Sequence, residues 1–296
     1  MQNECDFDDE LSNLFLTKSM DKFWLKWHKK FSKRSNCPYN VNGCTNSKDI
    51  ANAFADSFSS SQFDCYSDSV KTAQFLDRLH NQVLDERSTG CFNDIGLFSV
   101  EEIERSLMSL EFGKASGSDG LSKESIFYSH PVIFIHLKLL FNMICLHGFV
   151  PDGFGVGIII PVTKDRLGDV CATSNYRPIT LSCVLSKVFE YCILHKYEHV
   201  LYSDSLQFGF KKNSSCAHAV FVVSQVVEYF TTHGSNVYIA SLDASKAFDR
   251  VHHIKLFEKL IDRGLPGGII KILVDWYGKL FATVRWNEVL SEKNEY

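Results

Sequence analysis

The stretch Val237-Tyr-Ile-Ala-Ser-Leu-Asp-Ala-Ser-Lys-Ala-Phe-Asp-Arg-Val251 gives the strongest indication of the fold class. Residues 237–242 are mostly β-branched, aromatic or aliphatic, which is typical of a buried strand. Asp243 follows where that strand should end. A carboxylate held by a rigid strand suits Mg²⁺, which binds in proteins through one or two carboxylates together with substrate phosphates. The alternative is an Asp that caps the next helix.

Composition predicts an intracellular protein with a substantial core. The 296 residues suggest about two domains, and 45% of them are hydrophobic. The 10 cysteines include no Cys-x-x-Cys pair, so we expect reduced core thiols rather than a zinc ribbon. Residues 1–10 are acidic and polar, and the apolar run at 131–146 is short and interrupted by His136 and Lys138, so neither a signal peptide nor a membrane span is expected.

The charge distribution places any nucleic-acid binding in local segments. The net charge is −4, which argues against a chain that binds nucleic acid over its whole surface. One basic segment, at residues 18–34, combines cations and aromatic residues at helical spacing. Its lysines could contact template RNA with help from aromatic stacking. Alternatively, its aromatic face packs on the protein and its lysines are only solvated.

Local signals predict helices before residue 130. Ile50, Phe54 and Phe58 share a helical face. Ser99 and Glu102 form a capping box, which predicts a helix from Ser99 to about Leu110. The Gly, Ser and Asp residues of 113–120 then predict a tight turn with exposed backbone amides, where an anion could bind. An ordinary connecting loop is the alternative.

A hairpin and four more helices are predicted further along. Residues 158–162 and 176–181 are short apolar runs joined by a polar loop, which is typical of a β-hairpin. Pro178 lacks a backbone amide, so its strand should lie at a sheet edge or bend. Apolar periodicity predicts helices at residues 185–201, 217–229 and 252–262, and from Pro266 to about residue 280. We expect the helix at 217–229 to pack beneath a sheet.

Five motifs in fixed order carry a family resemblance. They are Gly113-Lys-Ala-Ser-Gly-Ser-Asp-Gly120, Ile159-Ile-Pro-Val-Thr-Lys164, Ser174-Asn-Tyr-Arg-Pro-Ile-Thr-Leu181, Gln207-Phe-Gly-Phe-Lys211 and Leu242-Asp-Ala-Ser-Lys-Ala-Phe-Asp-Arg-Val251. Each motif is weak alone, but their order and spacing resemble the reverse transcriptase domain of non-LTR (LINE-type, jockey-like) retrotransposons. The resemblance covers most of the chain.

The resemblance implies an α/β (α+β) fold, with the fingers and an incomplete palm of a right-hand polymerase behind a mostly helical N-terminal extension. We expect a helical linker or extension at residues 1–95, a helical pre-fingers region with the Gly-rich loop at 96–155, and the reverse transcriptase domain at 156–296. The family's Tyr-x-Asp-Asp motif is missing, because the sequence has no pair of adjacent aspartates after Asp8-Asp9. We therefore expect a fragment truncated before that motif.

The resemblance also implies roles for individual residues. Asp243 would be the catalytic metal ligand, joined by the backbone carbonyl of Ala244. Lys164 and Arg177 would contact the nucleotide triphosphate, and Phe248 would lie under the sugar and select deoxynucleotides. The residues implied in template or primer binding are Lys114, Gly117, Asp119, Gly120, Gln207, Gly209, Lys211 and Lys212. Lys211 stands where the family more often has Arg, so phosphate attraction is kept and fork geometry is lost.

The implied activity is RNA-directed DNA synthesis with two Mg²⁺ ions, dNTP substrates, an RNA template and a DNA primer, with no membrane partner. The full element protein would be expected in nucleus and cytoplasm. We expect this chain to be inactive alone, since one candidate carboxylate cannot hold two cations. The alternative function is a non-catalytic retroelement remnant or a nucleic-acid-binding module.

Overall fold

The computed structural model describes residues 40–59, 69–88, 97–165, 167–244, 246–292 and 294–295. The basic segment at residues 18–34 lies outside the described residues, so neither interpretation of it is tested. In the described part of the chain, no helix is long and apolar enough to span a membrane.

Helices account for most of the regular structure in the described residues. Their bounds are α1 Ser47–Ser59, α2 Ser69–Ser88, α3 Val100–Met108, α4 Lys123–Phe127, α5 Val132–His147, α6 Val184–Lys196, α7 Cys216–Thr232, α8 His253–Asp262 and α9 Gly267–Tyr277. Short 3₁₀ turns occur at Asp152–Phe154 and Thr173–Asn175.

The described strands form one mixed sheet. They are β1 Val156–Thr163, β2 Tyr176–Ser182, β3 Phe281–Trp286, β4 Val289–Leu290 and β5 Asn294–Glu295. The order is β2-β1-β3-β4, and β5 also pairs with β3. β1 runs antiparallel to β2 and parallel to β3. The α/β fold class predicted from the sequence is therefore confirmed.

A helical core forms around Phe189 of α6. Its ring lies 5.1 Å from that of Phe141 on α5 and 5.8 Å from that of Trp276 on α9, measured between centroids. Phe98 and Phe154 complete this aromatic cluster at 5.9 and 6.1 Å. Aromatic pairs at such separations add stability beyond the area they bury. This cluster fixes α6, and with it the end of β2, on the helical layer.

A second core lies between α1 and the sheet. Phe54 of α1 is fully buried, with its ring centroid 4.8 Å from Tyr176 and 5.1 Å from Trp286. Burial alternates along β3, so Ala282, Val284 and Trp286 share this face. Part of the segment predicted as an N-terminal extension therefore covers the sheet directly. The domain boundaries at 95/96 and 155/156 remain predictions.

Several local predictions are confirmed. The Ser99 hydroxyl accepts from the Glu102 amide at 3.2 Å, and the Glu102 carboxylate accepts from the Ser99 amide at 2.7 Å, so the capping box starts α3 as predicted. β1 and β2 form the predicted hairpin, with Pro178 on the edge strand. In addition to these predictions, the structure shows that the left-handed backbone of Gly264, φ +84°, ends α8.

Two predictions around residue 240 are wrong. Residues 237–242 form no strand, and Leu242 is 100% exposed. α7 has no buried residue, so it does not pack beneath a sheet. An apolar run becomes a strand only where a partner satisfies its backbone groups, and no described strand lies beside these residues. The residue types at 237–242 suit a strand, but the sequence pattern could not show whether a partner strand would lie beside them.

Candidate nucleotide and nucleic-acid site

The β1–β2 hairpin carries two candidate phosphate ligands at one end. Arg177 on β2 pairs in register with Val162, and Lys164 follows β1 directly. Both side chains are exposed. The Lys164 ammonium donates to the Ser174 carbonyl at 2.7 Å, which leaves two of its three donors available. The Arg177 side chain makes no hydrogen bond or ion pair with other described residues, so its guanidinium fork is free.

Asn175, for which no sequence pattern predicted a role, shapes the hairpin tip. Its side-chain amide donates to the Asp165 carbonyl at 2.9 Å and accepts from the Asp165 amide at 3.2 Å. Its backbone carbonyl accepts from the Lys164 amide at 2.8 Å. The Tyr176 hydroxyl donates to the Val170 carbonyl at 2.8 Å. These hydrogen bonds fix the backbone from which the Lys164 side chain projects.

The Gly-rich loop packs against the start of α6. Gly117 is buried, and a Cβ built there would lie 2.7 Å from the Ser182 carbonyl and 2.8 Å from the Cys183 amide nitrogen. Burial raises the pKa of the Cys183 thiol, and a hydrogen bond to the Asp119 carboxylate raises it further. The close packing at Gly117 and the hydrogen bond of Asp119 are each a structural reason for the residue found there. A role of these two residues in template or primer binding stays a prediction.

A polar cavity of about 220 Å³ lies beside this loop. Lys114, exposed and ion-paired to Glu111 at 2.7 Å, lines it together with Lys123 and Lys187. The Lys123 ammonium is nearly buried and donates to the Leu110 carbonyl at 2.5 Å and to the Met108 carbonyl at 3.3 Å. Lys123 therefore caps the carboxyl end of α3, a role that sequence reasoning missed.

The segment at 207–212 contacts the region after Asp243. The rings of Phe210 and Phe248 meet edge to face, 5.6 Å between centroids. The Gln207 side chain donates to the Gly209 carbonyl at 2.9 Å, and the Lys211 ammonium to the Asp204 carbonyl at 3.3 Å. Lys212 is mostly exposed and lies 4.0 Å from the Glu198 carboxylate. The structure brings the candidate sugar-contacting ring, Phe248, to this candidate template segment.

Asp243 and Ala244 lie apart from these contacts. Both are exposed in an irregular segment. No hydrogen bond, ion pair or ring contact joins Asp243 to Lys164, Arg177 or any other described residue. The structure thus brings together the two hairpin cations, and separately Phe248 with residues 207–212.

Comparisons with known proteins show which family part of this chain resembles. Residues 162–296 match the family described as "Reverse transcriptase (RNA-dependent DNA polymerase)". Over these residues, which are less than half of the chain, the protein is similar to a reverse transcriptase domain. The matched range contains the β1–β2 hairpin tip with Lys164 and Arg177, the segment at 207–212 and Asp243.

Relatives of this chain come from non-LTR retrotransposons. The Pol polyprotein of the type-2 retrotransposable element R2DM of Drosophila melanogaster is 26% identical over 181 residues, 60% of this chain and 16% of that protein. The probable RNA-directed DNA polymerase of transposon X-element of the same species is 29% identical over 207 residues, 67% of this chain and 22% of that protein. The RNA-directed DNA polymerase of mobile element jockey of Drosophila funebris is 28% identical over 194 residues, 62% of this chain and 20% of that protein.

This chain spans between 16% and 22% of the length of these three relatives. The resemblance to non-LTR retrotransposon reverse transcriptases inferred from the sequence motifs is confirmed. The alignment with the X-element protein covers 67% of this chain, which is more than residues 162–296 can supply. It therefore begins well upstream of residue 162 and includes part of the helical layer.

Reverse transcriptases use divalent metal ions, and the described residues of this chain fit such an ion only in part. The Asp243 carboxylate and the Ala244 carbonyl are hard oxygen donors of the kind Mg²⁺ takes. Mg²⁺ needs near-octahedral coordination, and no group of three or more His, Cys, Asp or Glu side chains converges in the described part of the chain. These residues do not build a metal site by themselves.

Proposed function

We propose that this chain supplies the nucleotide-binding fingers and part of the palm of a non-LTR retrotransposon RNA-directed DNA polymerase. The observation that carries the proposal is the hairpin tip, where Lys164 and the unpaired Arg177 project from one end of a fixed β-hairpin. The family match supports it, since both residues lie within the matched range.

The chemistry of the two cations suits the triphosphate of an incoming dNTP. Arg177 offers a planar fork for bidentate phosphate contact, and Lys164 offers a compact charge. Both would stabilise negative charge that develops on the leaving pyrophosphate. Because they contact phosphate rather than bases, they act equally on all four nucleotides.

The remaining residues take the roles that the family implies. Asp243 and the Ala244 carbonyl would contribute ligands to Mg²⁺, which in the complete enzyme supplies electrostatic stabilisation of the phosphoryl transfer. Phe248 would lie under the deoxyribose. An RNA template and a DNA primer would lie along a surface containing Lys114, Gly117, Asp119, Gly120, Gln207, Gly209, Lys211 and Lys212.

We propose further that the chain does not polymerise alone. Two cations about 3.5–4 Å apart repel each other strongly and need several carboxylates around them. Asp243 lies outside the sheet and makes no contact with another acidic group among the described residues. That position favours the second candidate function, a nucleic-acid-binding module or element remnant without catalysis.

The experiment measures the equilibrium binding of Mg²⁺-dNTP to the 296-residue chain by titration. Replacing Lys164 or Arg177 with Ala removes one charge-assisted contact, so the dissociation constant should rise by the equivalent of about 1.5–3 kcal/mol. All four dNTPs should be affected alike. The Lys255→Ala variant, which removes an exposed lysine of α8, is the control and should bind as the unaltered chain does.

Unchanged nucleotide affinity in both hairpin variants would reject the triphosphate assignment. Nucleic-acid binding with no nucleotide binding by the unaltered chain would favour the non-catalytic module. A change in preference among the four dNTPs would place the cations at the base rather than the phosphates.

A further inference from the structure

A tight turn upstream of the matched domain touches the hairpin loop. The Val41 amide donates to the Cys44 carbonyl at 3.0 Å, and the Cys44 amide donates back to Val41 at 2.9 Å. Asn42 and Gly43 both have left-handed backbones, with φ of 50° and 84°. Asn-Gly is the residue pair that favours such a turn. Val41 is fully buried under the sheet, so the turn is anchored.

Asn42 forms three hydrogen bonds with the loop between β1 and β2. Its backbone amide donates to the Cys171 carbonyl at 2.8 Å. Its side-chain amide nitrogen donates to the Thr173 hydroxyl at 3.1 Å, and its side-chain oxygen accepts from the Thr173 amide at 3.3 Å. Thr173 lies 131 residues away and is buried. One short side chain thus satisfies the backbone amide and the hydroxyl of a buried threonine.

The position of Thr173 connects this contact to the candidate phosphate ligands. Thr173 opens the 3₁₀ turn Thr173–Asn175. Within that turn, the Ser174 carbonyl accepts from the Lys164 ammonium and Asn175 holds the backbone of Asp165. Arg177 follows two residues after the turn. A shift of Thr173 therefore moves the carbonyl that holds the Lys164 ammonium and the backbone that leads to Arg177.

We propose that Asn42 is a positioning residue that orients the hairpin loop so that Lys164 and Arg177 meet the nucleotide triphosphate together. The role rests on the proposed function. It extends the set of residues that support nucleotide binding to a position 120 residues upstream of the matched range. Asn42 acts through Thr173 and does not touch the nucleotide.

The test compares two substitutions at Asn42. Asn42→Gly removes both side-chain hydrogen bonds and keeps the left-handed turn, because Gly adopts positive φ without strain. Asn42→Asp keeps the acceptor for the Thr173 amide, and its second oxygen can accept from the rotated Thr173 hydroxyl. We expect Asn42→Gly to weaken the attachment of the β1–β2 loop to the turn, and Asn42→Asp to retain it.

The first readout is amide hydrogen exchange of the peptide covering residues 167–175 in the full chain. Loss of one hydrogen bond to the Thr173 amide should accelerate its exchange roughly two- to tenfold in Asn42→Gly, with near-normal exchange in Asn42→Asp. The control is Asn52→Ala on α1, whose side chain accepts at 3.2 Å from the amide of Glu292, a residue just after β4 at the opposite edge of the sheet from β2. It should leave this peptide unchanged. Unaltered exchange in Asn42→Gly would overturn the contact itself.

The second readout is Mg²⁺-dNTP affinity. Asn42→Gly should raise the dissociation constant about two- to tenfold, the range of one lost hydrogen bond, with recovery in Asn42→Asp and no change in Asn52→Ala. Weaker binding in Lys164→Ala and Arg177→Ala with normal binding in Asn42→Gly would overturn the positioning role and leave the proposed function standing. No effect of either cation would overturn the proposed function, and with it the nucleotide role of Asn42.

Discussion

Gly117 shows how a residue's role depends on the backbone that approaches it. The sequence indicated a flexible loop that could bind an anion, and the structure adds the close contact with Ser182 and Cys183. No local pattern predicts that contact, because its two sides are more than 60 residues apart. Asn175 was missed for another reason: its side chain organises the hairpin tip through Asp165, 10 residues earlier, and no local pattern indicates that loop geometry. Lys164 and Arg177 were identifiable because the motifs around them are contiguous.

Gly117→Ala should lower the free energy of unfolding by about 1–3 kcal/mol, because the new methyl group would meet backbone that cannot rotate away. Urea denaturation measures the loss. Gly153→Ala is the matched control, since a Cβ there has no atom within 4 Å. An equal effect at both positions would contradict the packing role of Gly117 and return the loop to a purely binding role.

Buried thiols give a pH-dependent prediction. Burial raises the pKa of Cys145 to about 12 and of Cys192 to about 11, from an ordinary value of 9.0. The unfolded chain then loses these protons first, so stability falls as pH rises above about 9.

At pH 8, iodoacetamide should modify the exposed Cys171 and Cys216 and spare the buried Cys145 and Cys192 until urea unfolds the chain. Labelling of Cys145 in the folded chain, read by mass spectrometry, would contradict this burial.

At the scale of elements, local chemistry predicted where segments begin and tertiary contacts decided what they do. The capping box of α3 and the β1–β2 hairpin follow from neighbouring residues and were predicted correctly. The docking of α1 on the sheet depends on contacts of Phe54 with Tyr176 and Trp286, both more than 120 positions away, so local patterns predicted the helix and could not predict where it packs. The apolar run at 237–242 lacks a partner strand, and hydrophobicity alone cannot make it a strand.

Phe54→Ala tests whether α1 belongs to the same folded unit as the sheet. The substitution removes a fully buried ring between Tyr176 and Trp286 and should cost about 3–5 kcal/mol of unfolding free energy. Phe221→Ala on the exposed face of α7 is the matched control and should stay within about 0.5 kcal/mol. A small effect of Phe54→Ala in urea denaturation would show that α1 is a separable extension.

At the scale of the whole molecule, the structure divides into a packed body and an exposed apolar region at residues 206–248. The exposed large apolar side chains of that region are Leu206, Phe210, Val220, Phe221, Val222, Val223, Val226, Tyr229, Phe230, Tyr238, Ile239, Leu242 and Phe248. Surface of this kind is typical of interaction sites and of self-association. The motifs predicted the family and the α/β class, and they could not predict that this region would lie outside the cores.

The chain should therefore self-associate in a concentration-dependent way, measured by light scattering coupled to size-exclusion chromatography. Replacing Val223 and Leu242 with Lys places charge on the exposed apolar region and should reduce association. The control replaces Val70 and Leu84, exposed residues of α2, with Lys and should not. A monodisperse monomer over the whole concentration range would contradict this prediction.

We propose that the chain presents the two hairpin cations to a nucleotide and does not complete a metal site by itself. Primer extension on an RNA template, with the purified 296-residue chain, Mg²⁺ and dNTPs, checks this proposal. We expect no template-dependent extension, with or without Asp243→Ala. Extension by the unaltered chain that Asp243→Ala abolishes would contradict it, because other carboxylates would then join Asp243 in a working site.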